Sequence, residues 1–418
     1  MGSEWQKTTI GDVAQVIGGG TPSSKTPEYW GEDIPWITPK DLSSHYFRYI
    51  ERGERSISKL GLQKSSARKL PKNTVLVTSR APIGYVAIAK NEVTTNQGFK
   101  SLILNDDQSP DFFYYLIRHI VPKLEAHSSG STFKEISGSV MKQIQVVIPP
   151  LPEQKAIAHI LGTLDDKIEL NRRMNATLEG MAKALFKSWF VDFDPVIDNA
   201  LAAGNPIPDE LAPRTEVRRQ ALANGTANRE AAKPFPAAFQ QTESMGWIPE
   251  GWEAAKLSDL LEVKYGKDHK KLSEGSIPVY GSGGLMRYAD KSLYSGESVL
   301  IPRKGTLSNI LYLNEEFWTV DTMFYTIPKH EHSPKYAFYH LKGLDFASMN
   351  VGSAVPSMTT KVLNELPIVM PDDISLKYFD EILATYFDKS EANNKQSQAL
   401  TKIRDTLLPK LISGELAV

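Results

Sequence analysis

The chain has 418 residues, 48 Lys and Arg against 49 Asp and Glu, a formal net charge of −1 and no cysteine. The missing cysteine excludes disulfides, thiol catalysis and thiolate metal sites together, and the balanced charge excludes a uniformly basic coat while leaving room for local basic patches at a phosphate backbone. No run approaches the roughly 18 uncharged apolar residues of a membrane span and no charged-then-apolar leader opens the chain, so a soluble, cytoplasmic protein of two or more domains is expected.

Short β-rich runs among Gly, Pro, Ser and Asn fill residues 1–150, which read as one mixed domain. The loop "GGGTPSSK" is uncharged until Lys25 and lacks the strand-to-helix spacing of a phosphate cradle, so its glycines read as turn residues. The run "TVLVTSRAPIG" is a strand ending in a basic loop with Ser79, Arg80 and Gly84. Small residues beside a cation let backbone amides and a guanidinium approach one phosphate, the alternative being a solvated hairpin loop. In the next strand, "TTNQGFK", Asn96, Gln97 and Lys100 carry donors and acceptors suited to base edges; Asn96 suits local turn bonding as well. Ser109-Pro110 reads as the N-cap and first-turn proline of an amphipathic helix. The loop "SSGSTFKEIS" then sets Gly130-Ser131 at a helix approach, with Lys134 close by.

A long helix follows, expected over 151–194. Ile157, Ile160, Leu164, Lys167, Asn171, Met174, Leu178, Met181 and Leu185 alternate steps of three and four, a heptad seam that is apolar at its ends and polar in its middle. Glu153-Gln154-Lys155 has the form of a nuclease metal site, but after Pro-Leu-Pro it reads better as a helix-start carboxylate favoured by the macrodipole. Residues 195–245, rich in Ala, Pro, Asn and Arg without sustained periodicity, read as a linker with a short helix at "ELAPRTEVRRQALA".

The second half repeats the first. Trp5 aligns with Trp252 at an offset of 247, Val75-Leu76 with Val299-Leu300 at 224, and Pro149 with Pro371 and Leu178 with Leu400 at 222. The drift places about 25 extra residues in the first copy, mostly before Val75. The second domain, 246–371, has its own basic loop with Arg303, Lys304, Gly305 and Asn309, a Gly352-Ser353 loop, and a cluster of Lys267, His269, Lys270 and Lys271 that either meets phosphate or is solvated surface. A second long helix, 372–418, repeats the seam with Phe379, Ile382, Tyr386, Lys389, Asn393, Gln396, Leu400, Ile403 and Leu407. Antiparallel pairing would bring Asn171 and Asn393 together and, with Lys167 and Lys389, fix the register; equally, these residues are merely tolerated in a wet middle. The fold class is therefore α+β: two mixed, mostly β globular domains separated by two long helices packed as an antiparallel coiled coil roughly 55 Å long, with pseudo-twofold symmetry.

No HExxH, Walker A loop, nucleophile elbow or dinucleotide fingerprint is present, and the eight histidines are scattered, so neither a catalytic residue nor a metal site is expected. The helix opening "PPLPEQKAIAHIL", the run "LDDKIELNRRMNATLEGMAKALFKSWFVDFDP", the lead "GWIPEGW" and the ending "LLPKLISGEL" together resemble the specificity subunit of type I restriction-modification enzymes. The resemblance implies two target recognition domains, each gripping one half of an asymmetric bipartite double-stranded DNA site. It further implies helices that set the gap and dock two modification subunits carrying the adenine methyltransferase and S-adenosylmethionine, with restriction subunits adding ATP- and Mg-dependent translocation and cleavage. No cofactor is implied for this chain itself. The other readings are a coiled-coil scaffold with two protein-binding domains, and an enzyme with an unrecognised site.

Overall fold

The computed structural model describes residues 5–130, 134–346, 348–349 and 357–418. The chain divides into two compact units, Met1–Asn175 with Glu391–Val418, and Ala176–Ser390; the boundary falls within both long helices.

In the first unit a five-stranded sheet runs in the order Ala14–Gly18, Lys100–Leu104, Val75–Ser79, Ile83–Ala89, Tyr49–Ile50. Its middle strand is buried at every residue, as a central strand covered on both faces requires. The helix Pro110–His119 covers one face. Its N-cap Ser109 accepts the Phe112 amide at 3.4 Å, Pro110 fills the first turn, and Phe112 to Ile117 are all buried. Leu411 and Ile412, from the far end of the chain, complete the same core. Trp5 caps the start of the long helix, its indole donating to Glu153 at 3.2 Å.

The second unit repeats the plan with a six-stranded sheet: Leu261–Tyr265, Met323–Pro328, Tyr294–Pro302, Leu311–Thr319, Ile277–Gly281, Gly284–Ala289. Trp252 matches Trp5, its indole donating to Asp372 at 3.0 Å. Here, however, His332 in the left-handed region (φ 66) takes the helix N-cap, and the Ser333 hydroxyl donates to the His330 carbonyl instead. Phe186, Trp189, Phe190, Tyr336 and Phe379 close this core, with the Phe190 and Phe379 rings 4.9 Å apart and nearly perpendicular.

The long helices span Leu151–Phe186 and Asp373–Ile412. The first stops short of the expected 194: it widens into a π-turn at Lys187–Val191, which carries buried Trp189 and Phe190, and Phe193 at φ 55 breaks it. Within the first unit the pairing is antiparallel. Asp165 meets Arg404 at 2.7 Å, Asn171 Nδ2 donates to the Asn393 carbonyl at 3.2 Å and the Ser397 hydroxyl at 3.1 Å, and Asn393 Nδ2 donates to Asn175 at 2.8 Å.

The seam has the expected period but a corrected phase. Ile157, Leu164, Asn171, Leu178 and Leu185 face inward, whereas the intervening positions shift by one: Leu161, Ile168, Asn175 and Ala182 replace Ile160, Lys167, Met174 and Met181. The second helix shifts in the same sense, with Leu383, Ser390, Ser397 and Arg404 in place of Ile382, Lys389, Gln396 and Ile403, although the Gln396 side chain still accepts Asn171 Nδ2 at 3.0 Å. Lys167 and Lys389 are exposed and take no part in the register. Both phases offer apolar residues; the selected one presents Leu161 and Ala182 to the domain cores as well as to the seam.

Residues 195–245, expected as a linker with a short helix at residues 210–223, hold that helix as Ala212–Ala223, preceded by a further helix, Asp194–Ala203, and followed by a single turn at Arg229–Ala232. Arg214 forks onto Asp194 with two bonds of 2.6 Å, and Arg218 onto Asp198 at 2.8 and 2.5 Å. The order of this segment is written in charges four residues apart on each helix, a pattern that apolar periodicity does not register.

Asp165 is the junction of the first unit. Besides Arg404 it accepts the Tyr115 hydroxyl at 2.6 Å, and burial, followed by this carboxylate, pushes the Tyr115 hydroxyl well above its ordinary range. Arg48 adds Asp166 at 2.7 Å and Asp111 at 3.2 Å. Replacing Asp165 with Ala removes the acceptor of the Tyr115 hydroxyl and one of the two carboxylates on half-buried Arg404, which keeps Asp405 at 2.8 Å, so a loss of about 1–3 kcal/mol is expected, measured as a lowered urea midpoint for the first unit.

Candidate nucleic-acid interface

A separate three-stranded sheet in the first unit and the outer strands of the six-stranded sheet in the second carry matching loops built on one backbone scheme. In the first unit the strand Trp30–Ile37 pairs with Arg55–Ile57 on one side and, in parallel, with Thr94–Thr95 on the other. In the second, Ile277–Gly281 pairs with Gly284–Ala289 and, in parallel, with Leu311–Thr319. Trp36 opposes Arg55 as Val279 opposes Arg287, which identifies the equivalent positions. The extra length of the first copy lies largely in Thr38–Glu54, where the second copy has the two-residue turn Ser282-Gly283. That excursion braces the unit's own helix: Arg172 donates to the Tyr46 carbonyl at 3.3 Å, beside the Arg48–Asp166 pair.

Each sheet holds a glycine-started loop against the following strand. A Cβ on Gly19 would stand 2.1 Å from the Asn96 carbonyl oxygen, and one on Gly266 2.1 Å from that of Val320, so only glycine passes at either place. The Gly20 amide donates to Thr95 and the Lys267 amide to Thr319, both at 2.8 Å. A tryptophan then draws the same carbonyl inward: Trp36 to Gly20 and Trp318 to Lys267, both at 2.9 Å. The equivalent arginines act differently. Arg55 lies 3.4 Å above the Trp30 ring, whose indole donates to Ser23 at 3.1 Å, whereas Arg287 itself donates to the His269 and Leu272 carbonyls at 2.8 and 2.9 Å.

The outer surfaces diverge. Lys267, Lys270 and Lys271 are exposed and form no ion pair among the described residues; the first-unit loop presents Thr21 and serines, with Thr21 donating to the Gln97 side chain. In the first unit Arg80 and Lys100 share Glu135, at 3.5 and 3.2 Å. In the second, Arg303 donates to the Asp321 carbonyl at 3.1 Å and lies 5.3 Å from the Tyr265 ring centre, with exposed Lys304 beside it.

A family model described as the type I restriction modification DNA specificity domain matches residues 2–180 and 249–402. The chain belongs to that family. It is 33% identical to the type I restriction enzyme MjaIX specificity subunit of Methanocaldococcus jannaschii, over 99% of this chain and 94% of the relative. Against the HindI specificity subunit of Haemophilus influenzae it is 25% identical, over 99% and 100%. The crystal structure of a type I S subunit from M. genitalium superposes with a TM-score of 0.59 at 19% identity, covering 98% of this chain and 96% of that one, a likeness of fold. Specificity subunits are non-catalytic DNA-recognition components. No cluster of three or more His, Asp or Glu that could hold a metal occurs among the described residues, and no helix is long and apolar enough to cross a membrane.

Placed in this specificity subunit, the residues singled out in the sequence sort by contact. Ser79 is fully buried, accepts Lys100 at 3.4 Å and belongs to the sheet. Gly84 (φ 95) lies under Val121, with no room for a Cβ, so it serves packing rather than phosphate approach. Asn96 accepts the Gly98 amide at 2.9 Å, a local turn bond, and Asn309 is tied to the Ser282 carbonyl at 2.9 Å. Gln97, Gly130 (φ 113), Lys134, Lys267, Lys270, Lys271 and Lys304 are exposed, and Arg80, Lys100 and Arg303 partly so. Ser131, Gly352 and Ser353 lie outside the described residues. Sequence reading missed Trp36, Arg55, Arg287, Trp318 and Glu135. Alignment of the repeat could not have flagged Arg55 and Arg287, which are displaced by 232 positions, an offset of their own, and Trp36 and Trp318 stand at different register positions.

Glu135 occupies the cationic ends of Arg80 and Lys100, the side chains expected from the sequence to meet DNA. Glu135→Gln is expected to raise DNA affinity and steepen the log K against log salt slope by about 1–2, read by fluorescence anisotropy on the assembled complex; an unchanged slope would make both pairs purely structural.

Proposed function

We propose that this chain is the reading head of a type I restriction-modification complex. Each unit takes one half of an asymmetric, two-part double-stranded DNA target, and the paired helices set the gap between the halves. The observation that carries this is the pairing of a common loop frame with unlike surfaces: free lysines on one copy, an uncharged glycine–serine loop on the other. Two different half-sites ask for such a pair, whereas a symmetric scaffold does not.

The helices dock two modification subunits, which supply S-adenosylmethionine and adenine methylation, and restriction subunits add ATP- and Mg-dependent cleavage in the cytoplasm; this chain binds no cofactor of its own. Support comes from outward apolar residues repeated at the 222 offset: Met181 is 47% and Ile403 48% exposed, where solvated helix faces are ordinarily polar. Matched patches suit two identical partners.

Methylome mapping after co-expression with the cognate modification subunit is expected to give a two-part motif with a fixed gap; a continuous motif from an active complex would overturn the reading. Met181→Asp with Ile403→Asp is expected to weaken capture of the modification subunits at least about tenfold, measured by calorimetry, with the thermal midpoint of the chain kept.

A further inference from the structure

In the second unit the strands Ile277–Gly281 and Gly284–Ala289 form a hairpin at the edge of the six-stranded sheet, with Gly284 at φ 107. Edge strands are ordinarily guarded by charge or proline facing solvent. This one instead leaves Leu285, Met286 and Tyr288 50, 54 and 52% exposed, and Arg287 is the only charged residue between Glu274 and Asp290. A register irregularity at Val279/Tyr280 sets Leu285 and Met286 outward in succession.

Cations flank this apolar strip through contacts that hold it in place. On one side Arg287 pins the His269 and Leu272 carbonyls, so the loop with Lys267, Lys270 and Lys271 is fastened to the hairpin's own strand. On the other, Asn309 donates to the Ser282 carbonyl at the turn and joins the tip to the loop that carries Arg303 and Lys304. An apolar ribbon between two basic loops matches the charge pattern of a duplex groove. Phosphates line both rims, base edges and thymine methyls lie between them, and the major groove admits a two-stranded ribbon.

Resting on the function proposed above, we propose that the Ile277–Ala289 hairpin is the groove-entering element of the second unit. Leu285 and Met286 meet base edges, and Lys267, Lys270 and Lys271 meet the flanking phosphates.

The test uses the full complex with its cognate modification subunit. Leu285→Ser with Met286→Ser is expected to relax one or two positions in one half of the methylated motif, leaving the other half and the gap intact, while Val217→Ser, at an exposed apolar residue of the helix Ala212–Ala223, keeps the motif. Replacing Lys267, Lys270 and Lys271 by Ala is expected to keep the motif and lower the salt slope by up to about 2.7. An unchanged motif in the double Ser variant, or a uniform fall in methylation without relaxation, overturns the assignment; both side chains are half exposed, and a retained thermal midpoint excludes misfolding. A wild-type complex lacking any two-part motif would sink the underlying function, a distinguishable result.

Discussion

Neither β-rich domain closes its core with its own stretch of chain. In the first unit Leu411 and Ile412 join the core shared by helix Pro110–His119 and by Ile157 and Leu161 of the long helix, and in the second Ala182, Phe186, Trp189 and Phe190 join the core beside Phe379. Burying these groups contributes about 1.5–3 kcal/mol per large side chain, more than the polar middle of the seam can supply. The domain cores therefore select the helix phase, and the polar contacts at Asn171, Asn393, Asp165 and Arg404 follow from it.

This explains what the sequence could and could not reveal. The heptad period was legible because it repeats over many turns, and the strand content because short apolar runs such as Val75–Val77 and Val299–Ile301 stand out among Gly, Pro and Ser. The phase was not, since Ile160 and Leu161, or Ile382 and Leu383, serve a seam equally well until a domain presses on one of them. Charge order was also hidden: Asp194 and Asp198 facing Arg214 and Arg218 bind a segment whose composition reads as linker. In the candidate interface, the exposed lysines and Arg303 were visible as chemistry. Glu135, which occupies Arg80 and Lys100, lies 55 and 35 residues away from them and had no local signature.

Duplication left the skeleton of each reading surface recognisable and its exterior free. Gly19 and Gly266 meet the same steric wall, and Trp36 and Trp318 draw the same carbonyl from neighbouring strands. Arg55 and Arg287 stand at one register position, the first stacked on tryptophan and the second bonded to the loop. Between the paired strands, a short turn in one copy and the Thr38–Glu54 excursion in the other occupy the same place. Surfaces can diverge this far because backbone bonds, rather than the exposed side chains, hold the loops.

The division of the chain also dictates an order of events on the ribosome. Residues 176–390 form one uninterrupted stretch, so that unit has all of its core once residue 390 has emerged. The first unit, although made first, lacks Leu411 and Ile412 until the last segment, Glu391–Val418, is released. Domains ordinarily mature from the N-terminus onward; here the later-made unit is complete first, and a truncation that removes Leu411 and Ile412 injures the unit that holds the start of the sequence.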